Sequence, residues 1–382
     1  MVRQNRTMTT PSDYELAAWR NIEEFKARAF TRVIGRAGDQ AAAGMAEAGK
    51  RATAYLEDHP RALLAVERGQ AGAAKGAKVI GSNARKAVKA VPSGMTDWSS
   101  AAFGSAKGMV GRVSRAGLSP KHVVGKHQKH GHDVSSLFDM HQLDLEQIDA
   151  VRGRGATWAY PIFAAASGAG AGLVISGGEL LGVAGAGAAA APSAGAIAGA
   201  LVGDAAVVLG LSSRSVGQVS LLYGYDPEDP AEKIFVMSVV NAGTAVSAGA
   251  KTAAMADLSR LTGVLARGGT WKMLDRSIIA QVYKRFALAF EARFTKASLG
   301  KIVPAVGIVI GGAFNWATLE SIVDVADVAY RRRFLLEKYP HLADEEVPVP
   351  DPDVSDETED VADDVVFSVL DEIVEAGGPD LR

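Results

Sequence analysis

Residues 194–226 read AGAIAGALVGDAAVVLGLSSRSVGQVSLLYGYD, and the reading of this stretch decides the fold. Gly195, Gly199 and Gly203 recur at four-residue spacing. On an α-helix that spacing places three missing side chains on one face, where a neighbouring backbone can come close. Each mid-helix glycine in water costs about 1 kcal/mol relative to alanine, so tight packing or lipid must offset it. The same step recurs at Gly168 and Gly172, at Gly178 and Gly182, and at Gly307 and Gly311. The expected fold is all-α, a multi-helix bundle with glycine-zipper-type central helices.

Composition agrees with that expectation. Hydrophobic residues make up 48% of the 382 positions while aromatics make up only 7%, and there are 42 glycines, so the apolar content is small and aliphatic. Such side chains suit close helix packing better than a bulky aromatic core. The absence of cysteine excludes disulfides, thiolate metal sites and a cysteine nucleophile. No apolar segment follows the basic residues of the opening MVRQNRTMTTPSDYEL, so no secretory signal is visible and a cytoplasmic, not secreted, location is expected.

Uncharged runs at 162–178, 180–203, 234–250 and 302–319 approach the roughly 20 residues that span a bilayer. Glycine and alanine contribute little transfer free energy, so length alone does not decide between a soluble bundle and membrane contact. The charge pattern favours the membrane. Residues 68–132 hold twelve Lys or Arg against Asp97 alone, whereas fifteen acidic residues follow from Asp344 onward against the single Arg382. A basic body with an acidic tail fits an anionic surface as partner.

Along the chain, residues 1–11 are read as disordered and 12–90 as amphipathic helices. Ser12 and Glu15 form a capping-box pattern ahead of the stripe Trp19, Ile22, Phe25, Ala29 and Val33. Residues 91–138 are read as a basic linker rich in His, Gly and Ser. Residues 139–340 form the helical core, opening with a short helix that has Phe138, His141, Leu145 and Ile148 on one side. Residues 341–382 are an acidic tail read as disordered, in which Leu370, Ile373 and Val374 could form a short helix that docks on a basic partner or on the body.

Gly203-Asp204 through Tyr223-Gly224-Tyr225-Asp226-Pro227 and Glu232, followed by Ile302-Val303-Pro304, Gly307, Gly311, Asn315 and Ala329-Tyr330-Arg331-Arg332, resembles the signature of the EcsC family over about residues 150–340. That resemblance implies a bacterial, helical protein with a membrane association and no established reaction. Fold by itself does not set function.

Six polar residues stand out as candidates. Asp204 lies in apolar surroundings, where a carboxylate must find a partner, and its commoner role is a helix cap. Arg214 lies ten residues on and off that face. Tyr223, Tyr225 and Asp226 belong to a helix end, a glycine cap and a turn before a helix starting near Asp229-Pro230. Asn315, inside an uncharged run, must tie two helices together or contact a ligand.

The expected lipid-facing cations are Lys75, Lys78, Arg85, Lys86 and Lys89, with Arg331 and Arg332 at a helix end. His122, His127, His130, His132 and His141 cluster near Asp133 but match no zinc-enzyme pattern, so no metal is assigned. No nucleotide or serine-hydrolase fingerprint is present, and no cofactor is assigned. The sequence thus reads as a membrane-associated helical protein whose partner is anionic lipid or a membrane protein. The alternative is an enzyme with a polar site around Asp204, Tyr223 and Asn315. Nucleic-acid binding ranks last, since the basic segment lacks interleaved aromatics.

Overall fold

The computed structural model describes residues 10–31, 119–152, 160–161, 164–165, 167–168, 194–245, 248–268, 276–298, 307–345 and 367–381. The protein is all-α, with no strand among the described residues. Its helices are α1 (Asp13–Thr31), α2 (Pro120–Lys129), α3 (Leu145–Arg152), α4 (Ala194–Leu222), α5 (Pro230–Thr244), α6 (Ala248–Ala266), α7 (Arg276–Ser298), α8 (Gly307–Lys338) and α9 (Val369–Glu375). Two 3₁₀ turns, η1 (Phe138–Gln142) and η2 (Pro340–Glu345), complete the set.

The opening helix starts where its side chains say it should. Ser12 Oγ accepts from the Glu15 N–H at 3.2 Å and Glu15 accepts from the Ser12 N–H at 2.9 Å, a reciprocal capping box. Trp19 and Ile22 from the expected stripe are buried against the core.

At the centre, α8 packs on α4, α5, α6 and α1. Its middle turns supply Trp316, Leu319, Ile322 and Val325, all buried, which is the pattern of a helix with neighbours on several sides. Along α4, Gly203–Leu222 is long and apolar enough to cross a membrane by length and composition, but 78% of that stretch is buried inside the protein. It serves as a core helix. Its hydroxyls are satisfied internally: Ser212 Oγ donates to the Val208 carbonyl at 2.7 Å, and Ser220 Oγ donates to the Tyr225 carbonyl at 2.9 Å.

Of the zipper glycines, Gly203 alone has described surroundings, and a Cβ added there would meet nothing within 4 Å among the described residues. Close approach occurs instead at Gly243 on α5, where an added Cβ would lie 2.7 Å from Ile322 Cα on α8. Gly195, Gly199, Gly307 and Gly311 lie on α4 and α8, but their side-chain surroundings are not among those described; Gly168 is helical and buried, and Gly172, Gly178 and Gly182 lie outside the described residues.

Two segment boundaries also shift. Residues 120–129, placed in the linker, form α2, with Val123, Val124 and His127 buried. The segment after it folds as η1 and α3, where Leu145 and Ile148 are buried as expected but Phe138 is 75% exposed. The tail is not disordered throughout. Residues 340–345 form η2, and the last described segment returns to the core as α9, with Phe367, Val369, Leu370 and Ile373 buried. Apolar periodicity at 370 and 373 outweighs the acidic composition around it.

Candidate functional site

Asp204 sits inside α4, ten residues from its start, so it is not a helix cap. Its Oδ1 accepts from Asn315 Nδ2 at 2.8 Å and from Ser167 Oγ at 2.9 Å. Asp204 and Asn315 are 4% and 0% exposed, so the pair ties α4 to α8 out of reach of water. Tyr223 lies on the far end of the same helix, and at 1.5 Å rise per residue it is roughly 28 Å away. Asp204, Asn315 and Tyr223 therefore do not form one pocket, and the enzyme alternative loses its geometry.

What surrounds Tyr223 is a second, larger polar cluster. The Tyr223 hydroxyl donates to Asp327 Oδ1 at 3.1 Å and accepts from Arg331 Nε at 3.0 Å. Arg331 Nη2 reaches Asp149 Oδ2 on α3 at 2.7 Å, and Tyr14 on α1 donates to the same oxygen at 2.7 Å. Arg152 pairs with Asp327. Two guanidiniums face two carboxylates, so four helices meet around a charge-balanced knot. Burial, with the neighbouring Asp327 carboxylate, pushes the Tyr223 phenol well above its usual pKa, which keeps it neutral and able to donate. Asp149 Oδ1 is buried with no hydrogen-bond partner among the described residues.

Two residues further on, α8 carries a second group. Arg333 pairs with Glu232 of α5 and donates to Glu337 Oε1 at 2.9 Å. Its guanidinium lies 3.9 Å over the Tyr225 ring, a cation–π contact. His141 Nδ1 lies 3.2 Å from Glu337 Oε2, and its Nε2 lies 3.2 Å from the Gly224 carbonyl. Burial raises the Glu232 carboxyl despite Arg333 beside it. For Glu337 burial acts in the same direction, but His141 and Arg333 outweigh it and the net shift is downward. At the helix end, Lys338 Nζ bonds Glu15 Oε1 at 3.1 Å and Asp144 Oδ1 at 2.6 Å.

The YGYD turn holds these groups in register. Gly224 has φ +87°, and an added Cβ would meet the Leu137 carbonyl at 2.7 Å, so only glycine fits. α5 starts at Pro230 as expected. Asp226 is half-buried and its Oδ1 accepts from the Glu228 N–H at 2.9 Å, which shapes the turn. Arg214 faces Tyr160, whose hydroxyl donates to Gln218 at 2.5 Å. Beside them, a crevice lined by Arg152, Tyr160, Gln218 and Val323 has room for about one water molecule.

Arg331 and Arg332, expected to face lipid, have partners inside the protein. Arg332 is 5% exposed and donates to the Ser259 carbonyl, while Arg331 is held by the knot. Carboxylates on α3 and α8 hold Arg331, and a backbone carbonyl on α6 takes a hydrogen bond from Arg332. Lys75, Lys78, Arg85, Lys86 and Lys89 lie outside the described residues. In the histidine cluster, His127 is fully buried with Nδ1 3.0 Å from His132 Nδ1. No group of three or more metal-ligating side chains is found among the described residues.

Sequence reasoning missed Asp149, Arg152, Asp327 and Glu337, and gave Glu232 and Arg333 no partner. The pairs Asp327/Arg331 and Arg333/Glu337 carry the i,i+4 spacing that joins opposite charges on a helix, and that was the available signal.

An all-α protein whose internal charges lock helices together is the class that fold and site define. Within that class, the chain belongs to the EcsC protein family, whose model matches residues 74–335. The match begins well ahead of residue 150, so the basic segment is part of it. The chain is also 29% identical over 138 residues to the uncharacterized protein YdbA of Bacillus subtilis (strain 168), covering 36% of this chain and 48% of that protein. The chain thus spans about half the length of that curated relative. No solved structure shows a significant match.

Proposed function

We propose that the protein is a peripheral membrane protein of its family that binds anionic lipid at the cytoplasmic surface through its basic segment, alone or beside a membrane protein partner. The observation that carries this reading is the run of twelve basic residues against one acidic residue over 68–132. Its described end supports it: α2 buries Val123, Val124 and His127 and leaves Lys121, His122, Lys129 and His130 exposed. The 75%-exposed Phe138 follows eight residues after His130. A basic face with a projecting aromatic suits the boundary between headgroups and acyl chains. Basic residues near an anionic leaflet contribute roughly 1 kcal/mol each, so even part of this segment suffices for reversible binding. Since Gly203–Leu222 is mostly buried, contact through the basic segment is a better reading than insertion of α4.

The test is flotation of the intact protein with phosphatidylglycerol-containing vesicles and with neutral phosphatidylcholine vesicles. The expected result is flotation with the anionic vesicles at low salt and release as salt rises. Recovery in the soluble fraction with anionic vesicles at low salt overturns the reading.

A further inference from the structure

The C-terminal segment contacts the core as a bound peptide would. Its helix, α9, closes both of its own ends. Ser368 is the N-cap, with its Oγ accepting from the Asp371 N–H at 3.1 Å. Gly377 turns the chain at φ +84°, with the Gly378 N–H bonded to the Ile373 carbonyl at 2.8 Å and the Gly377 N–H to the Val374 carbonyl at 2.9 Å. That is a Schellman closure. The segment's backbone therefore owes little to the chain that precedes it.

The core answers it with polar side chains aimed at peptide groups. Asn241 on α5 donates to the Phe367 carbonyl at 2.7 Å and is itself held by Arg293 on α7 at 3.1 Å. Asp257 on α6 takes hydrogen bonds from the Ser368 hydroxyl and the Leu370 N–H, at the positive end of α9. Arg285 on α7 grips Glu372 at 2.7 Å and Glu375 at 2.6 Å. Asn241 and Asp257 are 1% and 6% exposed, expensive polar groups to place between helices unless a chain segment meets them. Between them the groove takes Phe367, against Phe286 at 5.6 Å between ring centroids, together with Val369, Leu370 and Ile373.

All of these receptor residues fall inside the span matched by the family model, 74–335, and the occupant falls outside it. Residues 346–366 between η2 and Phe367 hold nine acidic residues and no basic one, a composition that does not build a core of its own. We propose that the groove between α5, α6 and α7 is a receptor for an acidic amphipathic helix, filled in cis by residues 367–378 and open to the same chemistry presented in trans. The partner is a helix of Ser-Φ-Φ-acid-acid-Φ pattern, with Φ an apolar residue, and with a third acid three residues after the last of the pair.

The experiment has two arms on the full chain. In the intact protein, native-state hydrogen exchange follows the amides of Asp371, Glu372, Ala376, Gly377 and Gly378. The expected result is exchange at least tenfold faster than in α5 and α8, through opening of the segment alone. In the second arm, a protease recognition sequence inserted between Asp356 and Glu357 is cut, and a fluorescent peptide of residues 366–382 is added. Saturable anisotropy is expected with the cut protein, at least tenfold weaker with Arg285→Glu and restored by a peptide carrying Glu372→Arg and Glu375→Arg. The proposal is overturned if those amides exchange only with global unfolding, if cutting unfolds the protein, or if the peptide and a scrambled control bind the folded, cut protein alike.

Discussion

Gly243 and Ile322 bring α5 and α8 into backbone contact: a methyl group on Gly243 would lie 2.7 Å from Ile322 Cα and 2.6 Å from its Cγ1. The contact is further fastened by Ser321 Oγ, which donates to the Gly243 carbonyl at 2.9 Å. Small residues do bring helices together here, at a glycine that belongs to no GxxxG step.

Gly243→Ala is therefore expected to destabilise the fold by roughly 2–3 kcal/mol, since Ile322 Cα cannot retreat without moving α8. Gly203→Ala is expected to stabilise it by about 0.5–1 kcal/mol, because the methyl meets nothing within 4 Å among the described residues and the helix gains propensity. Urea denaturation of both variants checks the contrast. Equal effects would remove the contact from its place in the core.

Removing the Tyr223 hydroxyl leaves Arg331 and Asp327 with their other partners, so Tyr223→Phe should cost about 1–2 kcal/mol. Arg331→Met should cost more, roughly 2–4 kcal/mol, because it strips Asp149 of its cation. Asp149→Leu added to Arg331→Met should recover part of that loss. A double-mutant cycle from chemical denaturation measures the coupling.

Gly224→Ala forces a left-handed residue to carry a side chain against the Leu137 carbonyl. A loss of at least about 2 kcal/mol is expected, from backbone strain plus the clash. The thermal midpoint reports it.

Two acid transitions should separate. Burial, with His132 and His130 nearby, pushes His127 down to about 4 from its ordinary 6.5. A depressed histidine favours the neutral form in the folded state, so its contribution is full above about pH 6.5 and is lost as pH falls towards 4. His127→Leu should flatten stability across that window. For Glu15, burial acts to raise the carboxyl, but the Ser12 N–H, the Tyr339 hydroxyl and Lys338 outweigh it and lower it below 4.5. Its contribution holds above pH 4.5 and fails below it, so Glu15→Gln should alter only the more acidic limb. Thermal melts from pH 8 to pH 3 distinguish the two.

Local features were legible in the sequence because their partners lie within a turn. The capping box of Ser12 and Glu15, the buried Trp19 and Ile22, and the glycine turn before Pro230 all follow from spacings of three or four residues. So does the all-α class, which rests on helical periodicity repeated along the chain.

Everything that depends on a distant neighbour was decided by tertiary structure. Arg331 was legible as a cation and was expected at a helix end, but α8 continues past it to Lys338, and its partner Asp149 is 182 residues away in the sequence. Glycine spacing marked faces on which close approach is possible, yet only the packing of α5 on α8 selected Gly243 and left Gly203 open. The acidic composition of the tail read as disorder with a short helix at its apolar positions, while the groove of α5, α6 and α7 decided where Leu370 and Ile373 would be buried. Propensity acts within a helical turn; burial and charge pairing act through space, and no spacing along the chain encodes which surfaces meet.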